Sequence, residues 1–132
     1  MKNFIVTLVF SLFTLSASSQ FFIGEKVLVA TEEASKKGYE ITYHFTKENP
    51  FAIAENEDIT CYYFFTEKDE IIYEIYIKCG TMQTYAVFQI IFNRDYKSIE
   101  PGLWYYKDSN GKPTQISTLK MGENLYYVIN YK

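Results

Sequence analysis

The sequence predicts an α+β domain in which two helices pack on one face of an antiparallel sheet. Two central stretches, residues 59–65 and 71–79, alternate apolar and other residues with a period of two, which is typical of half-buried strands. A short charged turn separates them, as in a hairpin. At Gly80 the period changes, and apolar residues then recur every three or four positions, which indicates a helix.

The first nineteen residues have the composition of a secretory signal peptide. Lys2 precedes an apolar run over residues 4–15, and small residues follow just before Gln20. The apolar run is shorter than the ~20 residues of a membrane-spanning helix, so we expect no stable membrane insertion. We therefore expect a signal peptide at residues 1–19, one domain at residues 20–132, and export to the periplasm or the outside of the cell.

The mature chain is acidic. Without Lys2 it has 12 basic and 16 acidic side chains, which gives a net charge of −4. The largest basic cluster is the pair Lys36 and Lys37, so nucleic acid is not an expected partner. A length of about 112 residues suits a single hydrophobic core.

The remaining predicted elements divide the chain into two halves with a similar order of helix and strands. The first half begins with a helix over residues 25–37, ended by Gly38, and a strand over residues 39–46 follows. Residues 47–58 are expected to form a connection. Three short strands follow the second helix, at residues 103–106, 114–119 and 125–131. The middle one is polar and is expected at a sheet edge. The predicted order after the signal peptide is α-β-β-β-α-β-β-β, with about six strands in two meanders.

The two halves begin at Gly24 and Gly80, 56 residues apart, but they share few residues. An internal repeat therefore stays open as an alternative. In element order the layout is similar to helix-plus-meander modules such as the β-lactamase inhibitory protein fold and the small outer-membrane assembly lipoproteins. This resemblance implies a comparable arrangement of helices and strands. No motif of either family is present, so it assigns no functional residue.

Cys61 and Cys79 are predicted on the same face of neighbouring strands. The odd-numbered apolar positions of both strands share a face only if the turn has an odd length. Such a turn places Cys79 opposite residue 57 or 59 rather than opposite Cys61. A disulfide is therefore not the expected state, although export would permit one and a bulge could shift the register.

The sequence offers few groups for catalysis or metal binding. His44 is the single histidine and falls on the polar side of its strand. Together with the two cysteines it lacks the spacing of a zinc site. The acidic loops at residues 55–58 and 108–111 lack the terminal glutamate of a calcium-binding EF-hand. We therefore expect a protein that is not an enzyme and needs no cofactor or metal.

Aromatic content is the more informative feature, because all 13 tyrosines lie in the mature chain. If the helices cover the odd-numbered face, the other face contains Tyr62, Phe64, Ile72, Tyr76, Tyr126 and Val128. Tyrosine combines an apolar ring with a hydroxyl that can form hydrogen bonds, which suits protein and peptide partners.

We expect Tyr62, Phe64, Tyr76 and Tyr126 to bind a protein or peptide. The alternative is that residues 21–23, the connection at 47–58 or a second copy of the chain covers this face, which would make it ordinary core. A different function is a carrier that holds a small apolar ligand between the sheet and the main helix, near Phe88 and Phe92.

Overall fold

The domain has two layers, one of helices and one of strands. A computed structural model describes residues 23–46, 48–108 and 110–132, and the predicted signal peptide lies outside these ranges. The elements are α1 (Val27–Lys36), β1 (Glu40–His44), β2 (Phe51–Glu55), β3 (Ile59–Phe65), β4 (Ile72–Cys79), α2 (Met82–Asp95), β5 (Lys97–Glu100), β6 (Leu103–Lys107), β7 (Pro113–Met121) and β8 (Asn124–Tyr131).

All of these strands belong to one antiparallel sheet with the order β1-β2-β3-β4-β8-β7-β6-β5. The predicted α+β class is confirmed, but the sheet has eight strands rather than about six. Each half of the chain is one helix followed by a four-stranded meander, and the two meanders meet where β4 pairs with β8. The described part of the chain thus contains the element order αββββ twice.

Both helices pack on the same face of the sheet. α1 lies against β1 and β2, and α2 lies against β4 and β5. Their buried side chains, such as Ala30 of α1 and Phe88 of α2, join Ile77 and Tyr127 of the central strands in one core. The positions of β3 and β4 that face this core include Cys61, Ile75 and other odd-numbered residues, as predicted.

Strand β2 corrects the predicted connection at residues 47–58. Ala52 and Ala54 point toward α1 and are fully buried, whereas Phe51 and Ile53 alternate with them and are half-buried. Alanine is depleted in strands, so the pattern did not indicate one. The small methyl groups allow α1, which buries Ala30 and Ala34, to pack closely on this part of the sheet.

The predicted edge strand lies in the interior of the sheet. β7 is flanked by β6 and β8, and the edges are β1 and β5. The prediction was wrong because Thr114 and Ile116 are fully buried on the helix side of β7, where threonine packs as well as an apolar residue on a pleated surface. Strand β5, a short strand directly after α2, was not predicted from the sequence pattern.

A bulge in β4 moves Ile72 away from the predicted tyrosine face. Phe64 pairs with Glu74 while Phe65 pairs with Ile72, so Tyr73 is an extra residue on β4. The extra residue reverses the alternation of side chains before this point. Ile72 therefore points into the core, where it is fully buried.

Helix α2 begins where the sequence predicted. The Thr81 hydroxyl accepts a hydrogen bond from the Thr84 backbone N–H at 3.1 Å, which satisfies one free donor of the first turn. The buried stripe of α2 starts at Thr84, whereas Met82 is 68% exposed. Two positions correspond to roughly 200° of rotation on a helix, so these two side chains lie on opposite sides.

Cys61 and Cys79 are free thiols buried in the core. Cys79 pairs with Ile59, one of the two partners that the register argument allowed, and Cys61 pairs with Ile77. Burial raises the pKa of both thiols to about 12, and the neighbouring Cys79 adds to the effect at Cys61.

We expect both thiols to react with a chromogenic thiol reagent at least ~10³-fold more slowly in the native protein than in denaturant. A raised pKa leaves a smaller fraction of reactive thiolate at mildly alkaline pH, and burial blocks access of the reagent as well. Stopped reactions followed by intact mass would count the labelled thiols. Labelling of either cysteine at the denatured rate under native conditions would contradict the buried positions.

Candidate functional site

The candidate site lies on the sheet face opposite the helices, which we call the open face. No helix or strand within the described part of the chain lies over it. Strand pairing determines which residues share this face, because directly paired residues point to the same side. Tyr62 pairs with Tyr76 across β3 and β4, and Phe64 pairs with Phe51 across β3 and β2.

Six rings on the open face form a continuous series, which we call the aromatic cluster. Its members, from β1 to β8, are His44, Phe51, Phe64, Tyr62, Tyr76 and Tyr126. The distances between ring centroids are 4.6 Å for His44–Phe51, 5.4 Å for Phe51–Phe64, 6.4 Å for Phe51–Tyr62, 5.5 Å for Phe64–Tyr76 and 6.4 Å for Tyr76–Tyr126. These values lie in the range of favourable aromatic pairs, so neighbouring rings hold each other in place.

The four residues predicted from the sequence all belong to the aromatic cluster, but they are not equally accessible. Tyr62, Phe64 and Tyr76 are half-buried. Tyr126 is 9% exposed and Val128, on the same face, is 7% exposed, and both belong to β8 at the centre of the sheet. Tyr126 therefore forms the floor of the site, and the other three rings form its accessible surface.

The tyrosine hydroxyls of this surface are hydrogen-bond donors at neutral pH. Partial burial raises the pKa of Tyr62, and the nearby Tyr126 and Glu55 raise it further. Partial burial and Glu74 raise the pKa of Tyr76. Both hydroxyls therefore keep their protons well above neutral pH. The Tyr76 hydroxyl donates to the Glu74 carboxylate, and the Tyr62 hydroxyl can donate to a carbonyl or carboxylate oxygen of a partner.

The sequence did not indicate two contributors to the aromatic cluster. Phe51 was placed in a connection, although its alternation with Ala52, Ile53 and Ala54 is a strand signal of period two. His44 was placed on the polar side of its strand, and it does lie there, but its imidazole stacks on the Phe51 ring. The histidine thus extends the cluster to the β1 edge of the sheet.

The acidic loops act as turns. The Asp108 carboxylate accepts hydrogen bonds from the backbone N–H groups of Asn110 and Lys112 at 2.9 and 2.8 Å. In the other loop, the Asn56 side chain accepts from Asp58 and Ile59. Both arrangements are typical turn-stabilising contacts. Within residues 23–46, 48–108 and 110–132, no three His, Cys, Asp or Glu side chains are grouped so that they could hold a metal ion.

The position considered for a small apolar ligand is filled by side chains. Phe88 and Phe92 of α2 are fully buried, with ring centroids 5.7 and 4.9 Å from that of Tyr127. Trp104 lies 5.3 Å from Phe92. A ligand between α2 and the sheet would have to displace these rings.

Comparison of the chain with protein-family models, with curated proteins and with solved structures finds no significant match. Among the residues that the structure describes, neither helix has the length and apolar character needed to cross a membrane. The function is therefore inferred from the geometry of the open face.

Proposed function

We propose that this chain is an exported binding module without enzymatic activity, which holds a segment of a protein or peptide on the open face. The aromatic cluster is the observation that supports the proposal. Aromatic side chains are enriched in protein interfaces because they bury a large apolar area with few rotatable bonds. Here the rings are already held by their neighbours, so little side-chain entropy is lost on binding.

The size of the aromatic cluster suits an extended segment. Its rings lie on β1, β2, β3, β4 and β8, and four strand spacings of about 4.8 Å give a width of roughly 19 Å. An extended chain advances about 3.3 Å per residue, so about six residues would cross the cluster. A small-ligand carrier instead requires space beside Phe88 and Phe92, which the side chains occupy.

The proposal can be tested by selecting peptides from a random display library on the immobilised protein. We expect the selected peptides to be rich in aromatic and branched apolar residues. A double variant, Tyr62→Ser with Tyr76→Ser, is expected to weaken their binding at least roughly tenfold, since it removes two accessible rings. Its melting temperature should fall by only a few degrees, because both side chains are half-buried.

Ile90→Ser provides the matched control. Ile90 is an apolar residue of α2 that is 66% exposed and lies away from the open face, so its replacement should leave peptide binding unchanged. Equal binding by the wild type and the double variant would exclude the open face as the site. Unfolding of the double variant at room temperature would instead show that the two tyrosines belong to the core.

A further inference from the structure

The two halves of the domain differ in charge. Residues 23–79 contain six basic and twelve acidic side chains, a net charge of −6, whereas residues 80–132 contain six basic and four acidic ones, a net charge of +2. An asymmetry of this size within one domain produces a field that orients charged partners. The open face spans both halves, so its two ends attract different chemical groups.

Three lysines of the second half surround a cavity of about 240 Å³ at one end of the sheet, which we call the lysine pocket. Lys97, Lys107 and Lys132 line it together with Tyr105 and Thr114. The Lys132 ammonium lies 4.1 Å from the centre of the Tyr105 ring. The ion pairs found within the described ranges, Lys36–Glu33 and Arg94–Asp95, do not involve these three lysines. The pocket therefore presents positive charge beside an aromatic ring.

The lysine pocket is continuous with the open face. Cross-strand pairing connects Phe64, Glu74, Asn130, Gln115, Tyr105 and Lys97 in one row, in that order. Between the rings of Phe64 and Tyr105 the row is polar, and the Asn130 amide donates a hydrogen bond to the Glu74 carboxylate at 3.0 Å. The open face thus has an aromatic half and a basic half, with a polar strip between them.

The distance between the aromatic half and the basic half of the open face determines how long a segment must be to contact both. β4, which contributes Tyr76, and β6, which contributes Tyr105, are three strand spacings apart in the sheet, or about 14 Å. An extended chain covers this distance in about four residues. A segment that places an apolar side chain on Tyr76 can therefore reach the pocket with a group about four residues further along.

We propose that the lysine pocket binds a carboxylate of the bound segment, about four residues from the apolar side chain that lies on the aromatic cluster. The proposal rests on the proposed function, since it assigns the chemistry of the same partner. Charge complementarity supports it, because three lysines line the pocket and residues 80–132, which contain them, have a net charge of +2. The Tyr105 ring adds an apolar wall for the methylene groups next to the carboxylate. An acidic side chain and a free chain terminus both supply this group.

Three short peptides test the proposal by NMR titration of the labelled protein. The first is N-acetyl-Phe-Thr-Ser-Thr-Glu-amide, the second has Gln in place of Glu, and the third has Gln with a free terminal carboxylate. We expect the acidic side chain or the free terminus to shift the amide signals of Thr114 and Lys132 and to bind roughly five- to tenfold more tightly than the neutral peptide. The first and third peptides distinguish the two sources of the carboxylate.

Variants separate a local site from the overall charge. Lys97→Gln with Lys132→Gln should abolish the preference for the acidic peptides. Lys36→Gln with Lys37→Gln changes the net charge by the same amount on α1 and should preserve the preference. Loss of the preference in both variants would show that the preference reflects only long-range attraction, which would overturn the proposed carboxylate site.

The outcomes also separate this inference from the proposed function. Equal affinities for the acidic and neutral peptides, with signals of Tyr62 and Tyr76 shifted, would overturn the carboxylate site and leave the binding face in place. Shifts at the pocket alone would support the carboxylate site and count against the aromatic cluster. The absence of shifts at millimolar peptide would overturn both. Shifts of pocket signals on dilution of the protein itself would identify a second copy as the occupant and overturn the inference.

Discussion

Replacing Phe92 with alanine is expected to lower the free energy of unfolding by about 3–5 kcal/mol. Phe92 is fully buried, and its ring contacts Tyr127 and Trp104 between α2 and the sheet. Tyr127 and Trp104 lie on two strands of the sheet, and Phe92 lies on the helix packed against them. The two neighbouring rings therefore cannot move enough to close the cavity that the Phe92 ring would leave. Domains of this size are stable by only about 5–15 kcal/mol, so the variant would unfold at a much lower denaturant concentration.

Phe64→Ala is the matched control, because the same change is made on the opposite side of the sheet. Phe64 is half-buried on the open face, where its ring packs on Phe51 and Tyr76, so we expect a cost of about 1 kcal/mol or less. Denaturant unfolding followed by circular dichroism measures both variants. A cost at Phe64 as large as at Phe92 would show that another segment covers the open face, and the proposed function would lose its basis.

Alkaline solution is expected to unfold the protein in one cooperative step. Burial raises the pKa of Tyr39, Tyr106 and Tyr127 well above the ordinary tyrosine value and that of Cys61 to about 12. Each group binds its proton more tightly in the folded state, so its contribution to stability is complete below its unfolded pKa. That contribution declines as the pH rises above about 9 for the thiols and about 10 for the tyrosines, up to the folded pKa.

The expected size of the alkaline effect follows from the number of such groups. Each fully buried group lowers stability by up to about 1.4 kcal/mol per pH unit above its unfolded pKa, and partly buried groups contribute less. Two thiols and several tyrosines act together, so the sum approaches the whole stability of a small domain between about pH 10 and 11.

Tyrosinate absorbance and circular dichroism, recorded in the same titration, test this prediction. We expect the absorbance change of the buried tyrosines to occur at the pH where the secondary structure is lost, because these side chains ionise only on unfolding. Tyr39→Phe removes one of these groups and should move the step to higher pH. Gradual ionisation of all tyrosines centred near pH 10 with unchanged circular dichroism would contradict the buried positions.

The sequence predicted those features that depend on neighbours along the chain. The change of period at Gly80 located the start of α2, and the Thr81 cap confirms it. The alternation in residues 59–65 assigned Cys61 to the helix side and Tyr62 to the opposite side, as observed. The same alternation limited the partner of Cys79 to residue 57 or 59, because residues that pair across a hairpin lie on the same face, and the structure has Ile59 at this position.

Features that depend on residues far apart in the sequence were not predictable in this way. The buried alanines of β2 make sense only with α1 packed on them, and the buried Thr114 of β7 only with β6 and β8 on either side. A single extra residue, Tyr73, reversed the side on which Ile72 lies. Sequence patterns rarely reveal such a bulge, because its position depends on the partner strand.

By itself, the sequence determined the α+β class, the helix start at Thr81 and the presence of aromatic residues on both sides of the central strands, since each depends on local periodicity. Only the tertiary structure decided that eight strands form one sheet and that six rings from five strands meet on its open face. It also decided that Lys97 and Lys107 of the β5–β6 hairpin line one pocket together with Lys132. Strand order brings these groups together, and strand order is set by packing of the whole domain rather than by any single stretch of the chain.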